Sequence, residues 1–150
     1  FQEVREKRGL AYSVYASHSA YDDAGQFEIY AGTGPEQTAE LTSVLCDEIK
    51  KIVASPVSQK ELASAQSQLR ASMLMSRESM LSRANRQAKY MINFNEELDM
   101  QKLIAHMQAI TMQDVQTMAE EIFTSVPTFA ALGSLDNLES YDQIQTRLAA

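Results

Sequence analysis

Two histidines, one cysteine and a scatter of serines are the side chains of this 150-residue sequence that could ligate a metal or act as nucleophiles. Zinc takes three or four N, S or O ligands brought to one point. His18 and His106 stand far apart, and neither lies in H-x-x-E-H or H-E-x-x-H. They read as ordinary histidines, one on a strand beside polar neighbours and one on a helix next to Met107. The serines lack a G-x-S-x-G elbow, and Gly32-Thr33-Gly34 has neither the third glycine nor the lysine of a phosphate loop. Asp22-Asp23 reads as a turn. Cys46 by itself makes neither an internal disulfide nor a CxxC metal site, and reads as a small core hydrophobe. Met73, Met75, Met80, Met91 and Met100 read as adaptable core. Neither a metal site nor a complete catalytic set is expected within these residues.

Bulk properties narrow the function further. The formal net charge is −7, from 20 acidic and 13 basic residues. Such a surface repels phosphate backbones and anionic lipid, so nucleic acid and membrane surfaces are not expected as partners. No apolar run approaches the roughly 20 residues of a membrane helix. Hydrophobic residues make up 45% of the chain, enough for a core, and only five glycines and three prolines interrupt it, which favours long helices.

The elements that must position any functional side chain follow from period and punctuation. Phe1 to Arg8 reads as the last turns of a helix, with Arg5 and Arg8 suited to its negative end and Gly9 as its left-handed stop. Leu10, Tyr12, Val14 and Ala16 then alternate with Ser13, Tyr15 and Ser17, a strand pattern that puts Tyr12 on the apolar face. A second strand carries Phe27, Ile29 and Ala31, and the turn residues Asp22-Asp23-Ala24-Gly25 between them predict an antiparallel hairpin. Thr33-Gly34-Pro35-Glu36 starts a helix ending near Ser55-Pro56. Ser58 and Glu61 form a capping box for a pattern that runs to about Asn93, with a break near Ser79 to Ser82. Glu96 to Ala109 and Met112 to Thr124 read as helices, the second announced by Thr111 and Asp114. Thr128 to Gly133 fits a short buried strand, and Asn137 to Leu148 a short polar helix. The fold class is α+β: a hairpin plus one further strand in a mixed sheet, covered by four to five helices. Three strands are a thin sheet for so many helices, so this reads as a partial domain, opening inside a helix at Phe1.

The segment from Phe1 to Val14, FQEVREKRGLAYSV, closely resembles the signature of the second half of the pitrilysin, insulinase and mitochondrial-processing-peptidase type of zinc metallopeptidase. In that family an arginine at a helix end precedes a tyrosine at a strand start by seven positions, the places taken here by Arg5 and Tyr12. The resemblance continues through Ala31-Gly32-Thr33, the run from Gln68 to Ser76 with Glu78-Ser79, Ala109-Ile110-Thr111 with Asp114-Val115, and Ala131-Leu132-Gly133. It is strongest to bacterial processing-peptidase-like enzymes. It implies that residues 1–150 are the C-terminal portion of a second, inactive, substrate-binding domain, in a clamshell that closes on unfolded peptide. It also implies that Arg5 holds a substrate carbonyl and that Tyr12 donates to the oxyanion. Zinc and the general base would then lie in an N-terminal half or subunit, the implied partner of this chain.

Each residue also has a plainer reading. Any cation is favoured where Arg5 sits, by the helix dipole, and alternation alone would bury Tyr12. The alternative function is a non-catalytic structural or regulatory subunit of the same family, acting as a scaffold; a third reading is a free-standing helix-rich interaction domain. A truncated sheet would leave an unpaired edge and an apolar face, so self-association is also expected.

Overall fold

The structure, a computed structural model, describes residues 1–149. They fall into two compact units: Phe1–Ser55 with the chain from Thr117 onward, and Pro56–Gln116.

The first unit opens with a π-helical turn, Gln2–Lys7, wound one residue wider than the expected α-helix. Gly9 ends it at φ 62°, a conformation that favours glycine. The Leu10 N–H then reaches back to the Val4 carbonyl at 2.8 Å, six residues away. That is one residue wider than the usual six-to-one closure of an α-helix, as a π-wound turn requires. Two strands follow, β1 (Ser13–Ala20) and β2 (Gly25–Gly32), paired antiparallel with Ser13 opposite Gly32 and Ala20 opposite Gly25. Pro35–Gln37 forms a single 3-10 turn that leads into α1 (Thr38–Ala54). Val4, Leu10, Ala11, Leu41 and Val44 make the buried cluster, with Val14, Ala31 and Leu45 packed against it. Cys46 is buried in α1, as expected of a small core residue, and that burial pushes its thiol pKa up. The last helix of the unit, α6 (Tyr141–Ala149), buries Ile144. Its Arg147 donates to the Ser43 hydroxyl of α1 at 3.0 Å and pairs with Glu139.

The second unit holds α2 (Gln59–Met75), α3 (Met80–Phe94) and α4 (Met100–Ala109). The boundary between units falls inside α5 (Met112–Phe123). The Ser58–Glu61 capping box forms in both directions, at 3.2 and 2.9 Å, and Thr111 and Asp114 repeat it for α5 at 3.2 and 2.8 Å. The expected break is real: Ser79 caps α3 by accepting from the Ser82 N–H, and Asn95 closes that helix at φ 53°. The helix expected from Glu96 starts at Met100 instead, because the Asp99 carboxylate takes the Gln101 and Lys102 N–H groups. No helix among the described residues is long and apolar enough to cross a membrane.

Two expectations are corrected. Residues 128–133 are not a strand and are not buried; Leu132 is fully exposed. A strand exists only with a ladder partner, and β1 and β2 pair only with each other, so the sheet is two-stranded and antiparallel rather than mixed. The α-helices number six among the described residues, the five that the expected break gives and the expected tail helix α6. Finally, Met75, Met80 and Met91 are exposed. Met75 ends α2, and Met80 and Met91 lie on α3, which buries no residue at all.

Candidate functional site

The two residues that follow the buried anchors of the first unit point out of it. Val4 and Ala11 are buried at the two ends of the π-turn and its exit. Their chain neighbours, Arg5 and Tyr12, are exposed, Tyr12 by 83%. Alternation had put Tyr12 on the apolar face with Leu10 and Val14. The ladder, however, begins only at Ser13. Leu10 is held back by the turn and by the Thr33 hydroxyl, which donates to its carbonyl, so the strand period does not govern position 12.

Arg5 and Tyr12 meet. The guanidinium carbon lies 4.8 Å from the centroid of the Tyr12 ring and 5.1 Å from that of Phe1, both within cation–π range. Among the described residues the guanidinium has no ion pair. Lys7 pairs with Glu3, and Arg8 lies 3.9 Å from Glu40. The hydrogen bond from Lys7 holds the Glu3 carboxyl below the ordinary glutamate range. Arg5 therefore keeps its full charge and a planar fork of donors, fixed in direction by rings that make no claim on its N–H groups. Such a group can take a carbonyl or carboxylate. The Tyr12 hydroxyl beside it is a neutral donor.

Sequence reading named Arg5 and Tyr12 but gave Phe1 no part in the site. The i, i+4 spacing of Phe1 and Arg5 was the available signal, since such pairs meet on a helical surface. The polar face of β1 is also ordered. Tyr15 stacks on Tyr30 with centroids 5.1 Å apart, and the Ser17 hydroxyl donates to Glu28 at 2.7 Å. Surface grooves lie along α3 between Ser82 and Phe94 and between Arg8 and Lys51.

The donor set does not fit a zinc centre. His18 sits on β1 in the first unit and His106 on α4 in the second, both exposed. Among the described residues no three His, Cys, Asp or Glu side chains are grouped to hold a metal ion, and zinc requires at least three protein ligands.

Comparison with known proteins finds relatives of the chain over nearly its whole length. The family described as the peptidase M16 inactive domain matches residues 1–69. The chain is 31% identical over 140 residues to the zinc protease YmxG of Bacillus subtilis, an alignment covering 93% of this chain and 34% of that protein. It is also 31% identical to a zinc protease of Streptomyces coelicolor, over 93% of this chain and 30% of that protein. A zinc protease of Rickettsia felis is 33% identical over 91% of this chain and 33% of its own length. The chain thus spans about a third of the length of the curated relatives it matches. Among solved structures, a chain of Complex III2 from Candida albicans, with Inz-5 bound, superposes with a TM-score of 0.84 at 14% identity. That superposition covers 97% of this chain and 35% of the other, and shows the shared fold.

Proposed function

We propose that this chain is the substrate-gripping portion of a zinc-dependent endopeptidase, because its first 69 residues match the peptidase M16 inactive domain and 93% of it aligns with a bacterial zinc protease. Zinc and the general base belong to an N-terminal half or subunit outside this chain. The observation that carries the reading is the Arg5–Tyr12 pair: an unneutralised guanidinium 4.8 Å from an exposed phenol ring.

The roles follow from the chemistry of the two groups. Arg5 donates through its fork to a backbone carbonyl of an extended, unfolded peptide, a contact made in ground state and transition state alike. Tyr12 donates its hydroxyl to the oxygen that gains negative charge as the scissile carbon becomes tetrahedral. A donor aimed at developing charge contributes roughly 3–4 kcal/mol to barrier lowering. Side by side, the two address neighbouring peptide groups of one strand, whose residues repeat every ~3.3 Å.

The test is peptidase activity and zinc content of the chain alone and mixed with the N-terminal half. Activity and zinc appearing only in the mixture support the proposal. A mixture that binds zinc yet cleaves nothing, or that binds none, favours a non-catalytic scaffold and returns Arg5 and Tyr12 to structural roles.

A further inference from the structure

Tyr12 is only one of two rings within cation–π distance of Arg5, and the other, Phe1, has no part in the proposed chemistry. Phe1 is 60% exposed, and its ring makes the second of these contacts. It faces the Arg5 guanidinium at 5.1 Å, on the same helical face four residues earlier, while Tyr12 faces it at 4.8 Å. An arginine side chain has four rotatable bonds and pays heavily in entropy to adopt one pose. Arg5 has neither an acidic partner nor a hydrogen bond among the described residues to fix that pose. Two electron-rich ring faces can hold the cation by its flat surface and leave its in-plane N–H groups open to a ligand. An acidic partner would instead occupy those same donors.

We infer that Phe1 is a positioning residue: its ring, with that of Tyr12, pre-orients the Arg5 guanidinium for a substrate carbonyl. The inference rests on the substrate-gripping reading above, and it assigns Phe1 no contact with the peptide. Its effect passes wholly through Arg5, so it belongs to binding rather than to the chemical step.

The experiment is a kinetic double-mutant cycle on the complex of this chain with its zinc-bearing half, using Phe1→Leu, Arg5→Ala and both together. Leucine keeps apolar bulk and removes the π face. Phe1→Leu should raise KM about fivefold with kcat near that of the parent, the size expected of one exposed cation–π contact. Phe1→Tyr, which keeps the ring, should restore KM. In the Arg5→Ala background Phe1→Leu should have no further effect, since the two act as one unit. Unchanged KM for Phe1→Leu where Arg5→Ala is impaired overturns the inference, as does full additivity in the double variant. If Leu weakens assembly, the comparison of Phe1→Tyr with Phe1→Ile decides, and equal KM values overturn it. Wild-type kinetics for Arg5→Ala itself would instead sink the substrate-gripping reading, and this inference with it.

Discussion

The guanidinium carbon of Arg5 lies 4.8 Å from the ring centroid of Tyr12, seven positions further along the chain. The juxtaposition is made by two buried neighbours. Val4 anchors the π-turn and Ala11 anchors its exit, so the residue after each is turned out on the same stretch of surface. The left-handed Gly9 between them folds the chain back sharply enough for the two side chains to meet.

The isolated chain should self-associate. It exposes 11174 Å², whereas even two separate domains of half its 16.7 kDa would together expose about 9,200 Å². Part of the excess is apolar: Met80, Leu81, Ile92 and Leu132 are each more than 70% exposed. Concentration-dependent light scattering and strong binding of an apolar dye are expected, and both should fall when the N-terminal half is added. A monodisperse monomer that ignores the dye would contradict the proposed need for a partner.

In the second unit, Gln66 should be worth more than its half-buried position on α2 suggests. Its side-chain amide donates to the carbonyls of Met107, Gln108 and Ile110 at 3.3, 3.2 and 3.1 Å, the end of α4 where carbonyls lack intrahelical partners. Gln66→Leu should cost about 1–2 kcal/mol in urea unfolding, chiefly by leaving those acceptors unpaired. Gln66→Glu should cost more, because a carboxylate faces carbonyl oxygens. Equal stability of all three proteins would show that water replaces the amide at no cost.

Acid should loosen the helix starts of the second unit, at the low end of the carboxylate range. Glu61 is held below its ordinary pKa by bonds from the Ser58 side chain and backbone, and Asp114 by bonds from the Thr111 backbone and side chain. A carboxyl whose folded pKa is depressed stabilises the fold above its unfolded pKa and loses that contribution as pH falls through the folded value. Helicity monitored from pH 6 down to pH 2 should therefore decline through and below the ordinary carboxylate range. In Glu61→Gln with Asp114→Asn that part of the decline should be absent. An unchanged acid profile in the double variant would place the sensitivity elsewhere.

Much of this was legible in the sequence because local chemistry decides it. Ser58 with Glu61, Thr111 with Asp114, Gly9 as a left-handed stop and Asp22-Asp23-Ala24-Gly25 as a hairpin turn each carry their own reason for being where they are. What failed depended on partners distant in the chain. Residues 128–133 have a strand's composition and no strand beside them, and the methionines of α3 lie on a helix that buries no residue. Tyr12 lay between these cases. Its spacing from Arg5 was readable through the family resemblance. Its escape from the sheet was not, because that depends on where the ladder starts. Phe1 was readable only as a hydrophobe, since nothing in a residue type says that a guanidinium will settle on it.

The most direct test of the central claim is the separation of kcat from KM for Tyr12→Phe and Arg5→Ala in the assembled enzyme. Loss of the Tyr12 hydroxyl should lower kcat by about a hundredfold or more with KM little changed, as expected of a donor that acts on transition-state charge. Arg5→Ala should raise KM with a smaller effect on kcat. Wild-type values of both constants in both variants would contradict the account and leave the pair a surface stack without a catalytic role.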